Sequence, residues 1–116
     1  MKFNEYIIVS DLDGTLFNRQ QAVPERSVKA IEYFKSNGGT FTVATGRDLR
    51  FIDKRFPFVK SLVNAPIVTS NGSRLLDVKT GRLYIDLHHS NELLKRVLVD
   101  EAQIYEDATV EMYGTD

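Results

Sequence analysis

The chain has 116 residues, with 15 basic and 16 acidic side chains and a formal net charge of −1. That length allows one domain at most, and the 42% hydrophobic share can feed a core. Together they exclude a disordered acidic tail, a collagen-like repeat and a low-complexity linker. The even charge balance excludes a surface built for a nucleic-acid backbone or an anionic membrane. Cysteine is absent, which excludes a disulfide scaffold, a thiolate zinc site and a cysteine nucleophile. No apolar run approaches the roughly 18–20 residues needed to span a bilayer, and the N-terminus lacks the pattern of a signal peptide. The expectation is a soluble, cytoplasmic protein with no nucleic-acid or membrane partner.

Three short apolar runs read as buried strands: Tyr6-Ile7-Ile8-Val9, Phe41-Thr42-Val43-Ala44 and Pro66-Ile67-Val68. Between the first two, Val28, Ile31 and Phe34 recur at helical spacing, with Pro24 suited to the first turn and Gly38 to the end. Between the second and third, Leu49, Ile52 and Phe56 repeat that spacing until Pro57. The order strand–helix–strand–helix–strand predicts an α/β fold with a parallel, Rossmann-like sheet. After Gly72 the texture changes. Arg74–Asp77 and Arg82–Ile85 flank a turn with Gly81 in the tight position, which predicts a β-hairpin. A helix is expected from Ser90 or Asn91 to about Glu106, then a short strand from Ala108 to Tyr113.

Each apolar run ends in a polar cluster: Ser10-Asp11-Leu12-Asp13-Gly14-Thr15, Thr45-Gly46-Arg47 and Thr69-Ser70-Asn71-Gly72. In an open α/β sheet, ligands bind at the carboxyl ends of the strands, so the three clusters should meet on one rim. If the backbone stays extended, Asp11 and Asp13 point to the same side and need a cation or proton between them. An oxygen-only set suits Mg²⁺. Gly14 lets the backbone turn sharply. Thr45 offers a hydroxyl, the amides after Gly46 can face an anion, and Arg47 adds a fork of donors suited to phosphate. Asn71 and Gly72 add an amide and exposed backbone. The chemistry suggested is phosphate handling beside Mg²⁺, with one carboxylate attacking phosphorus and the other moving the proton.

Asp11-Leu12-Asp13-Gly14-Thr15-Leu16 after an apolar strand resembles the first motif of the haloacid dehalogenase superfamily. Four fixed positions of this kind arise by chance in roughly 10⁻³ of chains this long. The ordered later motifs make chance rarer still. Thr45-Gly46-Arg47 resembles the second motif in the form used by Cof-type sugar-phosphate phosphatases. Ser70-Asn71-Gly72 matches the stretch where those proteins leave the core for an α/β cap. The resemblance implies Asp11 as nucleophile, forming an aspartyl-phosphate, and Asp13 as general acid/base. It implies Mg²⁺ held by the Asp11 carboxylate and the Asp13 carbonyl. It implies phosphate or substrate contacts from Leu12, Gly14, Thr45, Gly46, Arg47, Asn71 and Gly72. It also implies a core over residues 1–82, the start of a cap over 83–116, and a small phosphorylated metabolite as substrate.

The resemblance covers the front part of such a protein. Complete members carry a later Lys and an acidic Gly-Asp-x-x-Asn-Asp type motif, and neither is recognisable here. The 116 residues alone are therefore expected to turn over slowly, and to associate as a homodimer or with a complementing C-terminal segment. The competing reading is a non-catalytic phosphate-binding or interaction module. Asn71-Gly72 also suits a plain hairpin turn, and Arg47 a pairing with a surface acid. His88-His89 makes a poor chelate, because adjacent residues on a strand face opposite ways.

Overall fold

The computed structural model describes residues 1–107 and 109–112, and forms two compact units, Met1–Asp86 and Leu87–Asp116. In the first unit, strand β1 (Ile7–Ser10) runs parallel to β2 (Thr40–Val43), in the register Ile7 with Thr40 through Ser10 with Val43. Helix α1 (Glu25–Ser36) makes the crossover, as the apolar spacing predicted. Helices α2 (Leu49–Arg55) and α3 (Val59–Leu62) lead to β3 (Ile67–Thr69). A parallel bridge between Ala44 and Val68 joins β3 to the end of β2. Strands β4 (Arg74–Leu76) and β5 (Leu83–Asp86) then follow β3 as an antiparallel meander.

The core lies against β2. Phe41 and Val43 are buried with Ile31, Ile52, Val59, Leu62 and Ile67. Two side chains tie the sheet to its loops. Asn64 accepts from the Phe41 N–H at 2.7 Å and donates to the Gly39 carbonyl at 3.0 Å, while the Thr42 hydroxyl donates to the Pro66 carbonyl at 2.6 Å. Phe17 and Phe56 pack with ring centroids 4.5 Å apart.

Strand β1 corrects one expectation. Its residues are apolar on both faces, which predicts burial, yet Ile7 and Val9 are 61% and 53% exposed. The reason is topological. Among the described residues β2 is the only strand paired with β1, so β1 forms an edge. The Tyr6 and Ser10 carbonyls accept from Thr40 and Ala44. By the period of two, Ile7 and Val9 direct their backbone groups to the other side.

The β4–β5 hairpin forms as expected, with Gly81 at φ 74°. Its turn is held by the Asp77 carboxylate, which accepts from the Lys79 and Thr80 N–H groups at 2.8 and 3.2 Å. Those donors, Lys79 first, hold its carboxyl below the usual aspartate range.

In the second unit, Ser90 caps helix α4 (Asn91–Lys95) by accepting from the Leu93 N–H at 3.1 Å. The helical chain continues to Ile104, but it widens over Arg96–Glu101 and tightens over Ala102–Ile104. Helix regularity comes mostly from packing an apolar face, and no side chain described in this unit is buried. Residues 109–112 form no strand; the ends of the expected strand, Ala108 and Tyr113, lie outside the described residues. No helix among the described residues is long and apolar enough to cross a membrane.

Candidate functional site

The site grows from the end of β1. Asp11 leaves the strand in extended geometry (φ −70°, ψ 161°), and its Oδ1 accepts from the Leu12 N–H at 2.7 Å. The chain then makes one wide turn, closed by the Phe17 N–H donating to the Leu12 carbonyl at 2.9 Å. Two residues inside it are not helical: Asp13 is extended and Gly14 is left-handed at φ 72°. The left-handed φ and not a lack of space favours glycine here, since a Cβ would meet nothing within 4 Å. Leu12 drives its side chain into the core at 0% exposure and anchors the turn, while Asp11, Asp13 and Gly14 stay exposed.

Beyond β2, Thr45 is buried and Gly46 exposed. The Thr45 Oγ1 accepts from the Arg47 N–H at 3.1 Å, so the hydroxyl folds the loop back on itself. Arg47 reaches across 34 positions in sequence to Asp13, with Nε 2.9 Å from Oδ2 and Nη2 3.2 Å from Oδ1. The guanidinium also lies over the Phe51 ring, 4.1 Å from its centroid. Asp48 starts α2 immediately after, accepting from the Phe51 N–H at 2.8 Å. Ring and carboxylate together fix a side chain that would otherwise sweep solvent.

The third cluster docks on the second. The Ser70 N–H donates to the Arg47 carbonyl at 2.9 Å, and the Asn71 N–H to the Thr45 carbonyl at 3.3 Å. Residues 70–73 are also the loop joining antiparallel β3 to β4. Asn71-Gly72 is thus a hairpin turn and part of the rim at once. The three strand ends meet as their polar endings suggested. Asp13 with Arg47 ties the first to the second, and two backbone bonds tie the second to the third.

Two contributions were not legible in the sequence. Ser70 sits at φ 51°, a conformation for which serine gives no signal. Phe51 reads in the sequence as one more apolar helix position, yet it carries the Arg47 stack. His88 and His89 are both exposed.

Electrostatics favour an ionised Asp13. Its hydrogen bonds from Arg47 hold the carboxyl below the ordinary 3.8, against the opposing effect of burial. A depressed folded value means stability that is present above 3.8 and lost as pH falls through the folded value. Arg47 and Asp13 are 41% and 42% exposed, so solvent screening keeps the pair's worth below ~1 kcal/mol. Arg47→Gln is therefore expected to return the Asp13 carboxyl toward its ordinary range, read by carboxyl-carbon NMR titration. The gap between wild-type and variant melting temperatures should close as pH drops from 6 to 3. A gap independent of pH would assign the loss to the Phe51 stack instead.

Asp11 and Asp13 supply oxygen donors alone. Among the described residues no group of three or more His, Cys, Asp or Glu gathers as a metal cage. Mg²⁺ fits so sparse a set, because it keeps several waters and takes one or two carboxylates plus phosphate oxygens.

A paired-carboxylate turn, a hydroxyl–arginine loop and a third backbone turn meet at the strand ends of an α/β protein. Residues 8–116 match the family model of haloacid dehalogenase-like hydrolases, and the chain belongs to that family, in the Cof-type branch that its motifs resemble. A phosphatase candidate from Buchnera aphidicola subsp. Baizongia pistaciae is 31% identical over 114 residues, covering 94% of this chain and 39% of its own. The HMP-PP phosphatase of Yersinia pestis is 32% identical over 74 residues, covering 64% of this chain and 26% of its own. The solved structure of a haloacid dehalogenase-like hydrolase from B. subtilis superposes with a TM-score of 0.66 at 26% identity, over 84% of this chain and 32% of that one. The chain thus spans well under half the length of each of these three proteins.

Proposed function

We propose that the chain carries the nucleophile and the phosphate-holding loops of a Mg²⁺-dependent phosphomonoester hydrolase in the cytoplasm. The observation that carries this reading is the fork of Arg47 on Asp13, which sets the Asp11–Gly14 turn beside the Thr45–Arg47 loop. An Asp11 carboxylate oxygen attacks phosphorus while the bond from phosphorus to the leaving alcohol breaks. Asp13 delivers a proton to that leaving oxygen. The aspartyl-phosphate on Asp11 is then hydrolysed by water, whose proton passes to Asp13. Thr45 and the backbone of Leu12, Gly14 and Gly46 hold the phosphoryl oxygens, and Asn71 and Gly72 complete the rim. When bound, Mg²⁺ supplies positive charge against those oxygens, held by the Asp11 carboxylate and the Asp13 carbonyl.

Arg47 adds a condition. In the free site its guanidinium keeps Asp13 ionised, whereas the leaving group needs a protonated acid. A phosphate dianion competes for the same donors, so substrate binding draws Arg47 away and frees Asp13 to take up a proton. A small phosphorylated metabolite of the sugar-phosphate class suits these donors. The Yersinia relative, an HMP-PP phosphatase, supports a small phosphorylated substrate.

The covalent step tests the proposal. Protein incubated with acetyl phosphate and Mg²⁺ is expected to gain the mass of one phosphoryl group at Asp11, released by hydroxylamine and not formed when Mg²⁺ is chelated beforehand. No adduct at any time point would favour the second reading, a phosphate-binding module.

A further inference from the structure

Ser70, Asn71 and Gly72 pass through three consecutive left-handed backbone conformations, at φ 51°, 55° and 90°. For the two non-glycine residues this is strained geometry, which persists only where the surroundings hold it. What holds it here is the Thr45–Arg47 loop, through the two backbone hydrogen bonds from Ser70 and Asn71. The side chain of Asn71 then lies directly on Gly46. A Cβ built on Gly46 would stand 2.7 Å from Asn71 Oδ1 and 3.5 Å from its Cγ. Gly46 is not itself left-handed, so its backbone does not demand glycine. An alanine Cβ at position 46 would meet the end of the Asn71 side chain, which would have to swing away.

We infer that Asn71 is a positioning residue: its amide packs on Gly46 and fixes the Thr45–Arg47 loop in the shape that receives phosphate. The pair Gly46 and Asn71 works as one unit, and the strained hairpin turn is what delivers the amide. This rests on the reading of that loop as the phosphate site. It gives Asn71 a different part from direct contact with substrate, because the amide acts through the loop.

The test is a double-mutant cycle with Gly46→Ala, Asn71→Gly and both together, Gly at 71 keeping the left-handed turn. Two readouts are taken on the Mg²⁺-loaded protein: affinity for inorganic phosphate by NMR titration, and hydrogen exchange of the Ser70 amide. Gly46→Ala alone is expected to weaken phosphate about tenfold and speed Ser70 exchange by a similar factor, with melting temperature little changed. In the Asn71→Gly background the same change should cost no more than about twofold in either readout, since the obstructing atom is gone. Independent effects of the two substitutions would overturn the inference. So would complete loss of phosphate binding in Asn71→Gly, which would make the amide a direct ligand. If the wild-type chain binds no phosphate, the functional reading fails. The inference is then judged by Ser70 exchange, where an unchanged rate in Gly46→Ala would sink it.

Discussion

With a complementing C-terminal segment supplying the later Lys and acidic motif, Asp11→Asn is expected to lower Mg²⁺-dependent phosphatase turnover by at least about a thousandfold while leaving the fold intact. The two side chains have the same shape. The amide oxygen of Asn still accepts from the Leu12 N–H, the contact Asp11 makes at 2.7 Å, so the turn keeps its first hydrogen bond. What is lost is chemical. An amide oxygen is a poor nucleophile toward phosphorus, and the negative charge that would face Mg²⁺ is gone. Steady-state hydrolysis of a small phosphomonoester, read beside thermal melting, separates the two. A dead variant with an unchanged melting temperature supports a covalent mechanism at Asp11. Turnover that survives the substitution would remove Asp11 from the reaction and with it the whole phosphoryl-transfer reading. Arg47→Gln should do less, because it disturbs a partner of the acid and not the attacking atom.

The sequence made the strand ends legible because local chemistry wrote them. Gly14 must be glycine for its left-handed φ, and the Asp-rich turn follows an apolar strand that can only be short. Helix α1 and the β4–β5 hairpin were legible for the same reason: Pro24, the Val28–Ile31–Phe34 spacing and Gly81 act within a few residues. What could not be read depends on distant partners. The fork between Arg47 and Asp13 spans 34 positions, and either residue alone looks like a solvated charge. The strain at Ser70 exists because the carbonyls of Thr45 and Arg47 hold the turn. Strand β1 carries the pattern of a buried strand, but burial depends on neighbours, and only β2 is paired with it among the described residues. The end of the helical stretch near Ile104 was legible to within two residues, yet its change of pitch was not. Apolar spacing at Leu93, Leu94, Val97 and Leu98 says that a helix can form, while its regularity is set by what packs on it.

The second large effect lies in the core beneath the site. Ile52 is completely buried on α2, among Val43, Phe56, Val59 and Ile67 in the same cluster. Ile52→Ala removes buried carbon and leaves a cavity, at a cost of about 2–5 kcal/mol. A domain of this size holds only ~5–15 kcal/mol in total, so the variant is expected to lose a large part of its stability. Each kcal/mol lowers the melting temperature of a small domain by roughly 4–8 °C. Ile52→Val provides the graded control, at about 0.5–1.5 kcal/mol. The consequence reaches the site through α2, because Phe51 adjoins Ile52 in the chain and its ring supports the Arg47 guanidinium at 4.1 Å. Urea denaturation followed by circular dichroism should show the midpoint falling in the order wild type, Val, Ala, and the Asp13 carboxyl should rise toward its ordinary range in the Ala variant well below its midpoint. A large loss of stability with Asp13 unmoved would separate core from site. It would show that the Asp13 fork and the Ser70 and Asn71 backbone bonds hold Arg47 in place without help from the packing under α2.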